Sequence, residues 1–310
     1  MLQELISLQL DQTGSLAERW LKFAGVSEKS AQTYLVVIKQ LLKYFRDNNI
    51  TAPRREDLEN WRDNLIKDRK AANTVALYLT GAKLFFRWLE QDGIYKNIAD
   101  NLKSRVKISH EHKKDFLSRD QSKQLLNFAK GKGTLKDLRD RAIIALMLTA
   151  GLRTIEICRA DVKDIRTIDE ATFLFVQGKG RSEKAEAVRL APQVFSLIRE
   201  YLTIRGGTND REPLFVAISN RCKNQRLDTQ TIRKMVKADL RAIGLNSDRL
   251  SAHSLRHTAA TQMLLNGVKL EEVQQVLRHK SPTVTQIYNH TIQRLQNEGE
   301  LIVANSLFEE

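Results

Sequence analysis

The sequence predicts a mainly α-helical protein with a wholly helical N-terminal domain. A mixed α+β domain follows, mostly helix with a small β-hairpin or sheet. Three observations carry this. First, the 310 residues include only 14 Gly and 4 Pro, about half the usual combined share of roughly 12%. That scarcity excludes collagenous and low-complexity chains and disfavours a turn-rich all-β fold. Second, apolar residues recur at spacings of three and four along most of the chain. Third, the texture breaks once, near residue 110. With 42% hydrophobic and 28% charged residues the chain is globular in type, and its length suits two domains of roughly 100–200 residues.

The elements follow in order. Ser27 caps a helix carrying Tyr34, Leu35, Ile38, Leu41, Leu42 and Phe45 on one face. A second helix follows Arg55 with Leu58, Trp61, Leu65 and Ile66. Asn73 opens a third, with Val75, Leu77, Leu79, Leu84, Phe85 and Trp88, and Gly93 closes it as a C-cap. Residues 1–102 thus read as an antiparallel helical domain. The run from Lys103 to Lys114 is basic and aperiodic, so 103–117 reads as a linker able to lie along a phosphate backbone.

A fresh helix start at Ser118 opens the second domain, 118–310. Leu138 to Ala150 reads as a buried helix ending at Gly151. Thr172–Gln177 and Ala185–Leu190 flank a Gly-Lys-Gly turn and read as a hairpin. Pro192 starts a helix at its favoured early position. Further helices are expected at 228–243, 253–266, 270–278 and 283–290, with a last one near 292–307.

Charge narrows the function. Lys and Arg number 51 against 37 Asp and Glu, a formal net charge of +14 and a pI of about 9.8. Such an excess points to a polyanion, nucleic acid first and an anionic membrane surface second. Residues 1–108 hold 18 basic and 13 acidic side chains, and the remainder 33 and 24. Two basic domains suggest a clamp around duplex DNA rather than a tether. The longest apolar run, Ala142 to Ala150, falls well short of the ~18–20 residues of a membrane span. Glu4 and Asp11 are foreign to a signal peptide. Cys158 and Cys222 form no CxxC pair and read as reduced cytoplasmic thiols.

Four of the six histidines fall at 253, 257, 279 and 290. In Ser251-Ala-His-Ser-Leu-Arg-His-Thr258, helical spacing groups His253 with Arg256 and His257. Zinc binding of the H-E-x-x-H type needs Glu where Ser254 stands, and Arg256 would set a cation beside the metal. An Arg fork beside a His suits a phosphate better. Arg153, just beyond Gly151, can project from a fixed position, with Glu156 orienting it or a nearby His; a helical surface pair is the plainer alternative. Lys179 tips the Gly-Lys-Gly hairpin. A P-loop is excluded, because Phe173 and Gly180 stand where it requires Gly and Ser or Thr. Tyr288, in Thr-Val-Thr-Gln-Ile-Tyr-Asn-His290, suits a core or rim position by itself.

As a set, Thr-Ala-Gly-Leu-Arg153-x-x-Glu156, the Lys179 hairpin, His253-Ser-Leu-Arg256, Leu277-Arg-His279 and Gln-Ile-Tyr288-Asn-His resemble the signature of the tyrosine site-specific recombinases. The likeness spans nearly the whole chain and is greatest to Xer-type and transposon or phage integrases. It implies that Tyr288 attacks a DNA phosphodiester to give a 3′-phosphotyrosyl enzyme and a free 5′-hydroxyl. Arg153 and Arg256 would hold the non-bridging oxygens, and His253 would assist proton transfer at the tyrosine. His279 would donate to the phosphoryl group, Lys179 would protonate the leaving oxygen, and Glu156 would support them. Neither ATP nor a metal nor another cofactor is needed, since the covalent bond conserves the phosphodiester's energy.

Implied partners are double-stranded recombination sites, further copies of the chain in a synaptic tetramer joined through a tail at about 292–310, and accessory DNA-bending or directionality proteins. The implied setting is the bacterial cytoplasm, at the nucleoid, in chromosome-dimer resolution or mobile-element integration. A catalytically silent DNA-binding protein and a type IB-like topoisomerase are the alternatives. Three departures stand out. Arg278 replaces the usual Gly before the second His, adding a phosphate contact or altering the turn. A longer hairpin leaves Lys184 as a rival acid to Lys179, and Ala191 stands where Pro is typical.

Overall fold

A computed structural model describes residues 19–20, 22–26, 28–106, 115–178, 181, 183–206, 209–219, 222–278 and 297–308. The Ser27 cap, the helix expected at 283–290 and three site residues, Lys179, His279 and Tyr288, lie outside them. The chain divides into two units, Met1–His110 and Glu111–Glu310. Among the described residues no helix is long and apolar enough to cross a membrane.

The first unit is built on α1 (Glu28–Asp47), α2 (Arg55–Lys67) and α3 (Ala72–Gln91). Val37, Ile38, Leu41 and Phe45 of α1 bury against Leu58, Trp61 and Leu65 of α2 and Val75, Leu79, Phe86 and Leu89 of α3. A Cβ on Gly81 would stand 2.8 Å from Val37 Cγ1, so the missing side chain lets α1 and α3 approach closely. Gly93, at φ +66, ends α3. Ile66 and Leu77, assigned to the apolar faces by sequence, are exposed. Each lies off the stripe that its buried neighbours define at i, i+3, i+4 and i+7.

The second unit opens with α4 (Arg119–Phe128) and α5 (Leu135–Thr149). Reciprocal capping boxes, Ser118 with Gln121 and Thr134 with Asp137, satisfy backbone N–H groups at both starts. Helix α5 is sealed almost all round and is the spine of the core. After α6 (Thr154–Arg159) and a 3-10 turn (Val162–Asp164), strands β1 (Ile165–Ile168), β2 (Ala171–Val176) and β3 (Glu186–Arg189) form an antiparallel sheet in that order. The register pairs Ile165 with Leu174 and Leu174 with Val188. The expected hairpin is β2–β3, and β1 is an added strand. Helices α7 (Pro192–Arg205), α8 (Thr229–Ala242), α9 (Ala252–Leu265), α10 (Leu270–Leu277) and α11 (Gly299–Phe308) follow. Residues 115–117, which sequence places in the linker, pack on α9. Leu117 is buried and its N–H donates to Thr258 Oγ1 at 2.9 Å.

Candidate active site

Three segments of the second unit meet: the turn after α5, the first turns of α9 and the end of α10. Gly151 makes the meeting possible. Its φ is +58°, and an added Cβ would collide with Leu277 Cδ2 and touch Ala259 and Arg256 at 3.6 and 3.7 Å. The chain then reaches Arg153 in extended conformation at the N-cap of α6. Its backbone N–H donates to Glu156 Oε2 at 2.9 Å and its Nη1 to Oε1 at 2.6 Å. The i, i+3 pair is therefore a helix-start device that fixes the arginine, with Glu156 fully buried (0% exposed) and Arg153 still 28% exposed.

Arg256 rises from α9 almost sealed, at 1% exposure. Its two Nη groups donate to the carbonyls of Gly151 and Leu277, while Arg153 Nη2 donates to the carbonyl of Arg278 at 3.3 Å. Both guanidiniums thus rest on the end of α10, where carbonyls lack helical partners and the macrodipole is negative. Within 252–261 of α9 only His253 is exposed. It stands one turn before Arg256. His257 is instead buried, with the Phe116 ring 5.9 Å away, because residues 116 and 117 pack against this part of the helix.

Arg278 ends α10 in the left-handed conformation, φ 55°, ψ 47°. Its guanidinium is 6% exposed and faces carboxylates, with Nη2 2.9 Å from Glu156 Oε2 and Nε 3.7 Å from Glu186 Oε2 on β3. The side chain is turned inward, not held out as a phosphate contact. Burial alone would raise the Glu156 pKa, but Arg278, then the Arg153 N–H and guanidinium, outweigh it and hold the carboxyl below its ordinary range.

Lys184 lies apart from this group. Its Nζ is 2.6 Å from Asp161 Oδ2 and also pairs with Asp164. Arg226 completes the cluster, with Nη2 2.5 Å from Asp161 Oδ1 and Nη1 bonded to the carbonyls of Cys158 and Ala160. Burial raises the Asp161 pKa, and Lys184 and Arg226 more than reverse this. A second tie to the hairpin runs from Arg159 Nη1 to the carbonyl of Gly178, the residue before Lys179, at 3.4 Å. Burial pushes the Cys158 thiol up to about 12, leaving it inert as a nucleophile. Sequence reasoning missed the Asp161–Asp164–Arg226 cluster, which no periodicity marks.

Two arginines with buried roots and one exposed histidine suit an oxyanion. Residues 115–294 match the phage integrase family and residues 17–95 its N-terminal SAM-like domain. The chain belongs to the phage integrase family and is a tyrosine recombinase. The tyrosine recombinase XerC of Corynebacterium glutamicum is 32% identical over 236 residues, 75% of this chain and 72% of that protein. The tyrosine recombinase XerA of Pyrococcus horikoshii is 28% identical over 273 residues, 88% of each. In fold, the chain resembles the crystal structure of XerH site-specific recombinase bound to palindromic difH substrate in a post-cleavage complex. The TM-score is 0.74 at 21% identity, over 97% of this chain and 85% of that one.

Proposed function

We propose that the chain is a site-specific recombinase that cleaves and rejoins double-stranded DNA through Tyr288, exchanging strands between two sites. The observation that carries this reading is the seating of Arg153 and Arg256 on the carbonyls that end α10, directly before His279 in the chain. The tyrosine oxygen attacks phosphorus, the P–O5′ bond breaks, and the leaving oxygen takes a proton from Lys179. A phenol of pKa ~10 needs help to lose its own proton, which His253 gives. Arg153, Arg256 and His279 stabilise the charge that builds on the non-bridging oxygens, and Glu156 keeps Arg153 oriented. The ion pairs of Lys184 favour Lys179 as the acid.

In this reading residues 1–102 and the linker 103–117 grip the backbone, and 118–310 carry the chemistry. The apolar helix α11 serves assembly of a synaptic tetramer. The Xer likeness favours chromosome-dimer resolution in the bacterial cytoplasm. The test is incubation with a randomised pool of nicked duplexes, followed by sequencing of whatever becomes covalently attached. A protein-linked 3′ end in the wild type and none in Tyr288→Phe is the expected result. No adduct in the wild type, or one that persists in the variant, sinks the assignment.

A further inference from the structure

We propose that Arg278 is a positioning residue for strand cleavage, holding Arg153 and the β2–β3 hairpin in one frame through Glu156 and Glu186. The inference rests on the recombinase reading. It begins from the backbone. A residue at φ 55°, ψ 47° caps a helix with least strain as glycine. Arginine is thus not the residue this backbone favours, and its contacts show what the side chain does there.

Arg278 meets Arg153 twice. Its carbonyl accepts from Arg153 Nη2 at 3.3 Å, and its own Nη2 shares Glu156 Oε2 with the Arg153 backbone N–H, at 2.9 Å in both cases. Glu156 Oε1 is left to Arg153 Nη1. The carboxylate is thereby divided between two cations and Arg153 is held at three points. On its other side Arg278 Nε faces Glu186, whose Oε1 is 2.9 Å from Arg181 Nη2 in the hairpin that also carries Lys179. The chain Arg153–Glu156–Arg278–Glu186–Arg181 links α6, the end of α10 and the sheet. With Nη2 on Glu156, Nη1 on the carbonyl of Val276 and Nε facing Glu186, Arg278 is placed to orient other groups.

Removing the guanidinium leaves Glu156 buried with Arg153 as its one remaining charged partner among the groups that hold its pKa down. The carboxyl then takes up a proton at higher pH and releases Arg153. Single-turnover cleavage of a duplex recovered by wild-type capture tests this, using the full chain as Arg278→Gly, Arg278→Lys and Glu156→Gln. Arg278→Gly is expected to lose about 10–100-fold in rate, the scale of a small misplacement of a catalytic group. The acid limb of its pH profile moves up, with DNA affinity and its salt dependence unchanged. Arg278→Lys keeps the wild-type acid limb and recovers part of the rate. The Glu156→Gln and Arg278→Gly losses do not add in the double variant.

Wild-type rate and pH profile in Arg278→Gly overturn the inference. So does weaker binding with a salt slope reduced by about one, the mark of a lost phosphate contact. If the glycine variant cannot be purified folded, Arg278→Asn, which also accepts left-handed backbone, carries the same expectations. A wild-type chain that forms no adduct removes the recombinase reading and this inference together. A normal wild-type adduct with an unaltered variant removes only the inference.

Discussion

Lys184 Nζ sits 2.6 Å from Asp161 Oδ2 and pairs with Asp164 as well, so this lysine fastens the end of the hairpin loop to the segment after α6. A cation engaged by two carboxylates is poorly placed to give a proton to a distant oxygen. Lys184→Ala is expected to lower stability by about 1–3 kcal/mol, since buried Asp164 loses its counter-charge, with cleavage by the folded fraction largely kept. Lys179→Ala is expected to retain stability and lose roughly 10²–10⁴-fold in cleavage, the range of general acid catalysis. A substrate with sulfur at the bridging 5′ position restores it, because a thiolate leaves without a proton. Rescue of Lys184→Ala instead, measured by adduct formation on the sulfur substrate, would reverse the assignment.

Gly151 is the hinge on which both arginines depend. Its positive φ and the lack of space for a Cβ against buried Leu277 act together. Gly151→Ala is expected to cost about 2–4 kcal/mol from backbone strain and overpacking combined, and to slow cleavage beyond what lost stability explains. Urea denaturation and single-turnover cleavage of the folded protein separate the two effects. An alanine variant with native stability contradicts the packing described.

Asp239 on α8 gives a pH-dependence of the opposite sense to the ion-paired carboxylates. Burial, then the charge of Asp140, push its pKa up to about 6, against the pull of Lys136. A carboxyl whose folded pKa exceeds its unfolded value near 3.9 binds its proton more tightly in the folded state. Stability therefore falls as pH rises from about 4 to about 6, and the penalty is complete above that. Asp239→Asn should gain about 1–2 kcal/mol at pH 7.5, discounted for partial exposure, and almost nothing at pH 4. Urea midpoints at the two pH values check it; equal gains at both remove the cause assigned here.

Much of the fold was legible because local signals and tertiary demands agree. Ser118 caps α4, Pro192 starts α7, Gly93 ends α3, and the apolar stripes of α1 and α2 face the core. Strand β1 was not legible. Its turn to β2 places Asp169 and Glu170 at φ 44° and 65°, a left-handed pair that sequence signals through Asn-Gly or Asp-Gly, and this turn has Asp-Glu instead. In the site, Arg153 and Glu156 could be paired by spacing alone. Their union with the end of α10 could not, since the hydrogen bonds that make it cross 122 residues from Arg278 to Glu156 and 125 from Arg153 to Arg278. The burial of His257 was hidden similarly. Helical spacing groups it with His253, and only the packing of Phe116 and its neighbours distinguishes an enclosed ring from an exposed one.

Helix α11 presents Leu301, Ile302, Val303, Leu307 and Phe308 at exposures from 57% to 85%, and none of its residues is buried. On the proposed reading this apolar surface docks on a neighbouring subunit, and identical subunits docking head to tail close a ring. Replacing Leu301, Ile302, Leu307 and Phe308 with Ser is expected to leave binding of one DNA site and formation of the tyrosine adduct in place while abolishing recombinant products. Sedimentation velocity with DNA should then show complexes smaller than the tetramer expected of the wild type. If the quadruple variant still assembles tetramers and recombines, α11 packs elsewhere and the ring must be joined through another surface.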